Sequence, residues 1–158
     1  MSTTDRRNAK IAQIAACPQL LREAVEGLSD SQLDTPYREA GWTPRQVVHH
    51  VADSHANAYL RMRWTVAEDN PTIKTYDQDL WATFSDLKMP LEPSFKMIEG
   101  LHERWVTFLK SLPENVWSRT ANHPERGSVT LDDFLDIYSE HGAKHAGQIT
   151  GLRAQKGW

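Results

Sequence analysis

The chain of 158 residues contains a single cysteine, Cys17, which excludes an internal disulfide framework and any metal cage built from several thiolates. No stretch approaches the roughly 18 consecutive apolar residues that a membrane span requires. Neither sign of charge dominates: 18 Lys and Arg stand against 21 Asp and Glu, a net −3. That balance argues against a basic footprint for nucleic acid or an anionic membrane. The opening residues Met1 to Arg7 lack the apolar segment of a secretory signal. Repeats and low-complexity tracts are missing as well. The expectation is one soluble, cytoplasmic domain covering residues 1–158, whose 39% apolar residues, roughly 62 side chains, suffice for one core.

What is present is helical periodicity, with no strand alternation to compete with it. The first predicted helix covers about Arg6 to Gly27, with Ile11, Ile14, Leu20, Leu21, Ala24, Val25 and Leu28 at helical spacing. Pro18 interrupts it, which predicts a kink or a late start. Ser29-Asp-Ser-Gln32 is a capping box that opens a short turn. The second helix starts with Thr43 as N-cap and Pro44 in its first turn, and runs to about Ala67. From Glu68 to Pro93 the chain is polar; at that length a short helix around Asp77–Phe84 is expected to fold back over the rest. The third helix covers about Glu92 to Leu112 and the fourth about Thr130 to Gln155, joined by a connector with one helical turn. These four helices predict an all-α four-helix bundle.

Seven histidines, at 49, 50, 55, 102, 123, 141 and 145, carry the chemistry. His141 and His145 lie four apart, so both rings can reach one point in space. At about 100° per residue, Leu131, Phe134, Leu135, Tyr138, Ile149 and Leu152 define the inward face of the fourth helix. His145 falls within about 30° of its centre and His141 within about 70°. On the second helix the apolar face centres on Val47, Val51, Ala58 and Met62. His55 lies near its middle, His50 about 100° off centre on its flank, and His49 points away toward solvent. Geometry alone therefore ranks His55 ahead of His50 as a third ligand. His102 and His123 are assigned to surface or hinge positions, and Cys17 to a small buried hydrophobe.

Three neutral imidazoles without a thiolate suit zinc, nickel or another borderline divalent ion, and leave coordination positions open. Gly142 occupies the place of the glutamate in a His-Glu-x-x-His protease pattern, which disfavours that chemistry. Asp53, Glu140, Asp133 and Asp136 project away from the apolar faces and read as solvated. A site without an inward base fits an ion that itself lowers the pKa of an incoming water or thiol. Tyr76, Trp81 and Trp105 are candidates for lining the adjoining cleft. No arginine-rich motif or phosphate-cradling glycine loop indicates the substrate's charge.

The run Gly41-Trp-Thr-Pro-Arg-Gln-Val-Val-His-His50-Val-Ala-Asp-Ser-His55 resembles the signature of the DinB-like superfamily, and more narrowly its YfiT branch of metal-dependent hydrolases, which includes bacillithiol transferases. Glu26-Gly-Leu-Ser, Leu33-Asp-Thr-Pro-Tyr37, Thr72-Ile-Lys-Thr-Tyr76, Leu80-Trp81, Leu101-His-Glu-Arg-Trp105 and His141-x-x-x-His145 extend the resemblance across the chain. The chain begins later than that pattern. The resemblance implies an up-down-down-up bundle, often a homodimer, and one divalent ion, zinc or nickel, on three histidines. Carried over, they are His50, eight residues after Trp42, with His141 and His145. His55 then stands behind a ligand or packs beside it. The expected function is a metal-dependent transferase that activates a low-molecular-weight, bacillithiol-type thiol for conjugation to an electrophile. The alternatives are a metal-dependent hydrolase using water, and a non-catalytic metal-binding module.

Overall fold

Four capping boxes set where helices begin in the computed structural model, which describes residues 2–158. Ser2 with Asp5 opens α1 (Thr3–Val25), Ser29 with Gln32 opens α2 (Asp30–Leu33), and Thr43 with Gln46 opens α3 (Pro44–Ala67). Each satisfies two backbone donors that a helix start leaves orphaned. The Asp77 side chain caps the short α4 (Gln78–Trp81), which a 3-10 turn at Ser85–Lys88 follows. Next comes α5 (Glu92–Lys110), with proline in its first turn and no side-chain cap. Thr130 with Asp133 opens α6 (Leu131–Lys156), and Gly157 ends it at φ 69°.

The connector before α6 corrects the sequence reading. It carries a 3-10 turn at Glu114–Val116, and then β1 (Thr120–His123) pairs antiparallel with β2 (Gly127–Thr130). The four-residue strands are too short for a period-2 signal, and only alternate positions are buried, Ala121 and His123 on β1.

Long-range partners give the helix directions. Arg7 bonds Asp132 at 2.6 Å and the Ala24 carbonyl accepts from Arg153 at 3.0 Å, so α1 and α6 run parallel. His49 meets Ser94 and Met62 meets Trp105, so α3 and α5 also run parallel. Ile14 meets His102 and Arg22 meets Glu92, so α1 and α5 oppose each other; Arg61 with Tyr138 and His55 with His141 show the same for α3 and α6. This is the up-down-down-up order. The first helix passes through Pro18 and starts earlier than its periodicity predicts.

The core has two apolar halves. One gathers Ile11, Ile14, Met62, Trp105, Leu109, Leu131, Phe134 and Leu135. The other gathers Leu21, Ala24, Val47, Val48, Val51, Phe95, Ile98 and Ile149. Trp105 belongs to the first half, where its Nε1 donates to Met62 Sδ at 3.2 Å, so it does not line a cleft. Histidines from α3, α5 and α6 come together within the same bundle.

Candidate metal centre

His50 from α3 and His141 and His145 from α6 each offer one ligand atom, and these atoms lie within 4.8 Å of one another. The i, i+4 spacing brings the two α6 rings together edge-to-face, with centroids 4.4 Å apart. His50 reaches them from the flank of α3, its centroid 4.9 Å from His145 and 5.5 Å from His141. Trp42 packs edge-on against the His50 ring at 4.5 Å and limits its rotation. Burial, the leading cause for all three rings, holds their pKa values low: His50 and His141 fall to about 3, and His145 is lowered as well. At neutral pH they are uncharged bases, the protonation state a cation requires.

The proton positions can be worked out from one fixed end. Pro18 has no N–H to give the carbonyl four residues before it, which is that of Ile14. His102 Nδ1 takes up this orphan carbonyl at 2.7 Å. A carbonyl cannot donate, so Nδ1 carries the hydrogen and the neutral ring keeps a bare Nε2. His55 Nδ1, 2.8 Å away, must then donate to it. That leaves His55 Nε2 bare to accept from His141 Nδ1 at 3.0 Å. His141 Nε2 is therefore free of hydrogen. Across from it His145 donates from Nδ1 to Gln148 Oε1 at 2.8 Å, which bares its own Nε2.

The two bare Nε2 atoms stand 3.2 Å apart. Lone pairs at that distance repel unless a cation lies between them. Two nitrogens bound tetrahedrally at about 2.0–2.1 Å would be separated by about 3.3 Å. The donor set thus fits one divalent ion of borderline softness with coordination positions to spare.

His55 lies at the bundle axis with no exposure and backs His141 from behind. It was ranked above His50 by the helical wheel because an apolar face marks the bundle axis, whereas this cluster sits on the flank. Four further expectations are corrected. His102 is 1% exposed and was missed as a functional residue. Its spacing from Ile98 and Trp105, four and three residues, was the available signal. His49 is buried, with Ser94 Oγ at 2.7 Å and the Met89 carbonyl at 3.0 Å, because the α5 entry covers that side of α3. His123, the last residue of β1, is buried. Asp53 is half-buried rather than solvated, and burial pushes its carboxyl up to about 6. Cys17 is buried as expected and its thiol is pushed up to about 12 by that burial. It lies beside His55 and His102, and its Sγ would be 2.2 Å from a Cβ at position 142. Glycine there lets α1 and α6 approach, and no glutamate fits.

Two clefts reach the cluster. One, of about 420 Å³, is lined by Arg61, Tyr76, Phe134, Tyr138 and His141 among others. The second, of about 590 Å³, is lined by Trp42, Lys144, His145, Gln148 and again His141. Gln78 lines both, which sets the α4 segment over the meeting point. Trp81 supports this segment by packing on Tyr76 at 4.4 Å.

The DinB superfamily model matches residues 13–149. The chain belongs to the DinB superfamily. A protein of Oceanobacillus iheyensis named "Putative metal-dependent hydrolase" is 45% identical over 151 residues, 96% of this chain and 88% of that one. One of Bacillus cereus with the same name is 46% identical over 148 residues, 94% of this chain and 86% of its own. Among solved structures, YfiT from Bacillus subtilis, described as a probable metal-dependent hydrolase with an unusual four-helix bundle topology, superposes with a TM-score of 0.95 at 38% identity. The match covers 100% of this DinB chain and 91% of YfiT. A mycothiol-dependent maleylpyruvate isomerase shares the fold at a TM-score of 0.72 and 15% identity, over 94% of this chain and 63% of that one.

Proposed function

We propose that this DinB-superfamily protein is a metal-dependent transferase. In this reading His50, His141 and His145 hold one divalent ion, zinc or nickel, and a low-molecular-weight thiol is conjugated to an electrophile beside it. When bound, the ion supplies the Lewis acidity that brings an incoming thiol to its anion near neutral pH. The chain's residues do the rest: the His102–His55–His141 relay and Gln148 aim two lone pairs at one point, and Trp42 steadies the third ring.

The observation that carries the reading is the pair of clefts meeting at His141, room for two substrates to approach from different sides. The donor cluster includes no carboxylate among the described residues, so it lacks a general base of its own. That suits a thiol, whose ordinary pKa of about 8.5 needs little lowering, better than water. The names of the relatives favour a second reading, in which water is the nucleophile and the protein a hydrolase. In either reading the partners are small molecules, and the protein works in the cytoplasm as a homodimer.

The test is turnover of a generic electrophile by zinc- or nickel-loaded protein, with and without bacillithiol or another small thiol. Strict dependence on thiol supports the transferase. Turnover of ester or amide substrates without thiol overturns it in favour of the hydrolase.

A further inference from the structure

Arg61 on α3 is only 7% exposed, yet it has no counter-charge. Its Nε and Nη2 donate to the Lys74 carbonyl at 3.2 and 2.7 Å, and its Nη1 donates to the Tyr138 hydroxyl at 3.1 Å. These partners are neutral, and no carboxylate among the described residues comes within ion-pairing distance. The two other buried arginines are treated differently. Arg7, 8% exposed, is clasped by Asp132 and Glu114, and Arg45, 7% exposed, by Asp30 and Asp34. A buried charge that is left unpaired is costly, so its retention calls for an explanation. A guanidinium has five N–H groups, and the bonds above leave one hydrogen on each Nη to donate to the oxygens of an anion.

The setting shows where that anion would come from. Arg61 lines the cleft of about 420 Å³ that reaches His141. Its guanidinium lies 5.9 Å from the Tyr76 ring centroid and bonds Tyr138, whose ring centroid is 5.9 Å from that of His141. The other charged residues of the cleft, Asp77, Glu125 and Arg126, are exposed. Arg61 is thus the cleft's buried charge, one tyrosine away from the metal-type cluster.

We infer that Arg61 is an anion anchor: it binds the carboxylate or phosphate of a small-molecule substrate, whose remaining atoms extend past Tyr138 toward His50, His141 and His145. The inference deepens the proposed function and rests on this cleft being its substrate site.

The test is calorimetric titration of metal-free and zinc-loaded protein with benzoate, phenyl phosphate and the neutral benzamide. Metal-free wild type should bind at least one of the two anions about tenfold or more tightly than benzamide. The preferred anion tells a carboxylate source from a phosphate source. Arg61→Gln should abolish the preference, Arg61→Lys should keep part of it, and Arg126→Gln should leave it intact. Benzamide binding as tightly as both anions, no binding by any probe, or an unchanged preference in Arg61→Gln overturns the anchor. Should Arg61→Gln fail to fold, the wild-type ratio decides, together with the guanidinium nitrogen resonance of Arg61 on anion addition. Because the metal-free protein is measured, anion binding that survives without thiol-dependent turnover sinks only the transferase reading. Turnover without an anion preference sinks only the anchor.

Discussion

Two trios of ligand-type side chains stand next to each other in this bundle. Cys17, His55 and His102 are as close together as His50, His141 and His145. In the first trio every ring nitrogen already has a partner, and the thiol stays protonated. In the second, bare nitrogens face one another and two clefts open on them. Proximity of histidines therefore does not define a metal site. A candidate also needs free lone pairs and access, and here the sealed trio supplies one such lone pair to the open one by fixing the tautomer of His141.

The sharpest way to break this contrast is to remove a ring from the open trio. His145→Ala should bring metal content by elemental analysis close to zero while circular dichroism shows the bundle intact, since His145 lies beside a cleft. The companion change in the sealed trio should act first on stability. His102→Ala strands the His55 Nδ1 hydrogen and the Ile14 carbonyl in the core, and should cost about 3 kcal/mol in urea unfolding. By disturbing the His141 tautomer it should also weaken metal binding about 10–100-fold in chelator competition. His102→Gln, with both a donor and an acceptor, should recover part of each.

Acid should act on both trios at once. Burial lowers the pKa of His50, His55, His102, His141 and His145 in the folded chain, so the unfolded chain binds more protons. The stability these rings provide is complete above the unfolded value of about 6.5. It declines as pH falls toward the folded values, about 3 for His50 and His141. Each ring contributes a slope of up to about 1.4 kcal/mol per pH unit. Metal-free protein should unfold cooperatively by about pH 5, read by circular dichroism. A pH-independent melting temperature between neutrality and that point would contradict the burial of the layer.

Smaller effects test the seal. Gly142→Ala places a Cβ 2.2 Å from Cys17 Sγ and should cost about 1–3 kcal/mol, partly restored by Cys17→Ala. Smallest of all, Pro18→Ala returns an N–H that shares the Ile14 carbonyl with His102. It should weaken metal binding less than about tenfold and leave the melting temperature no lower.

The helices were legible because capping residues and apolar spacing are local. Thr43-Pro44 and Thr130 mark their starts to the residue. The hairpin was not, because its strands are four residues long. The α6 pair could be read from its spacing, but the choice between His50 and His55 depended on which side of α3 meets α6. A resemblance could point to it; a helical wheel, which reports burial and not access, could not. Arg61 stayed hidden for the same reason: next to Ala58 and Met62 it looks like one more charge on a helix flank.

By itself the sequence determined where the second and fourth of the long helices start, which stripe they bury and that two imidazoles share a face of the last one. These follow from backbone capping and periodicity, which act within a few residues. Only the tertiary structure decided that Pro18 frees a carbonyl for a histidine 88 positions away, that three rings pass on one choice of tautomer, and that an arginine lies buried without a carboxylate. Each of these depends on which hydrogen-bonding partner lies across a packed interface, and that partner comes from a distant part of the chain.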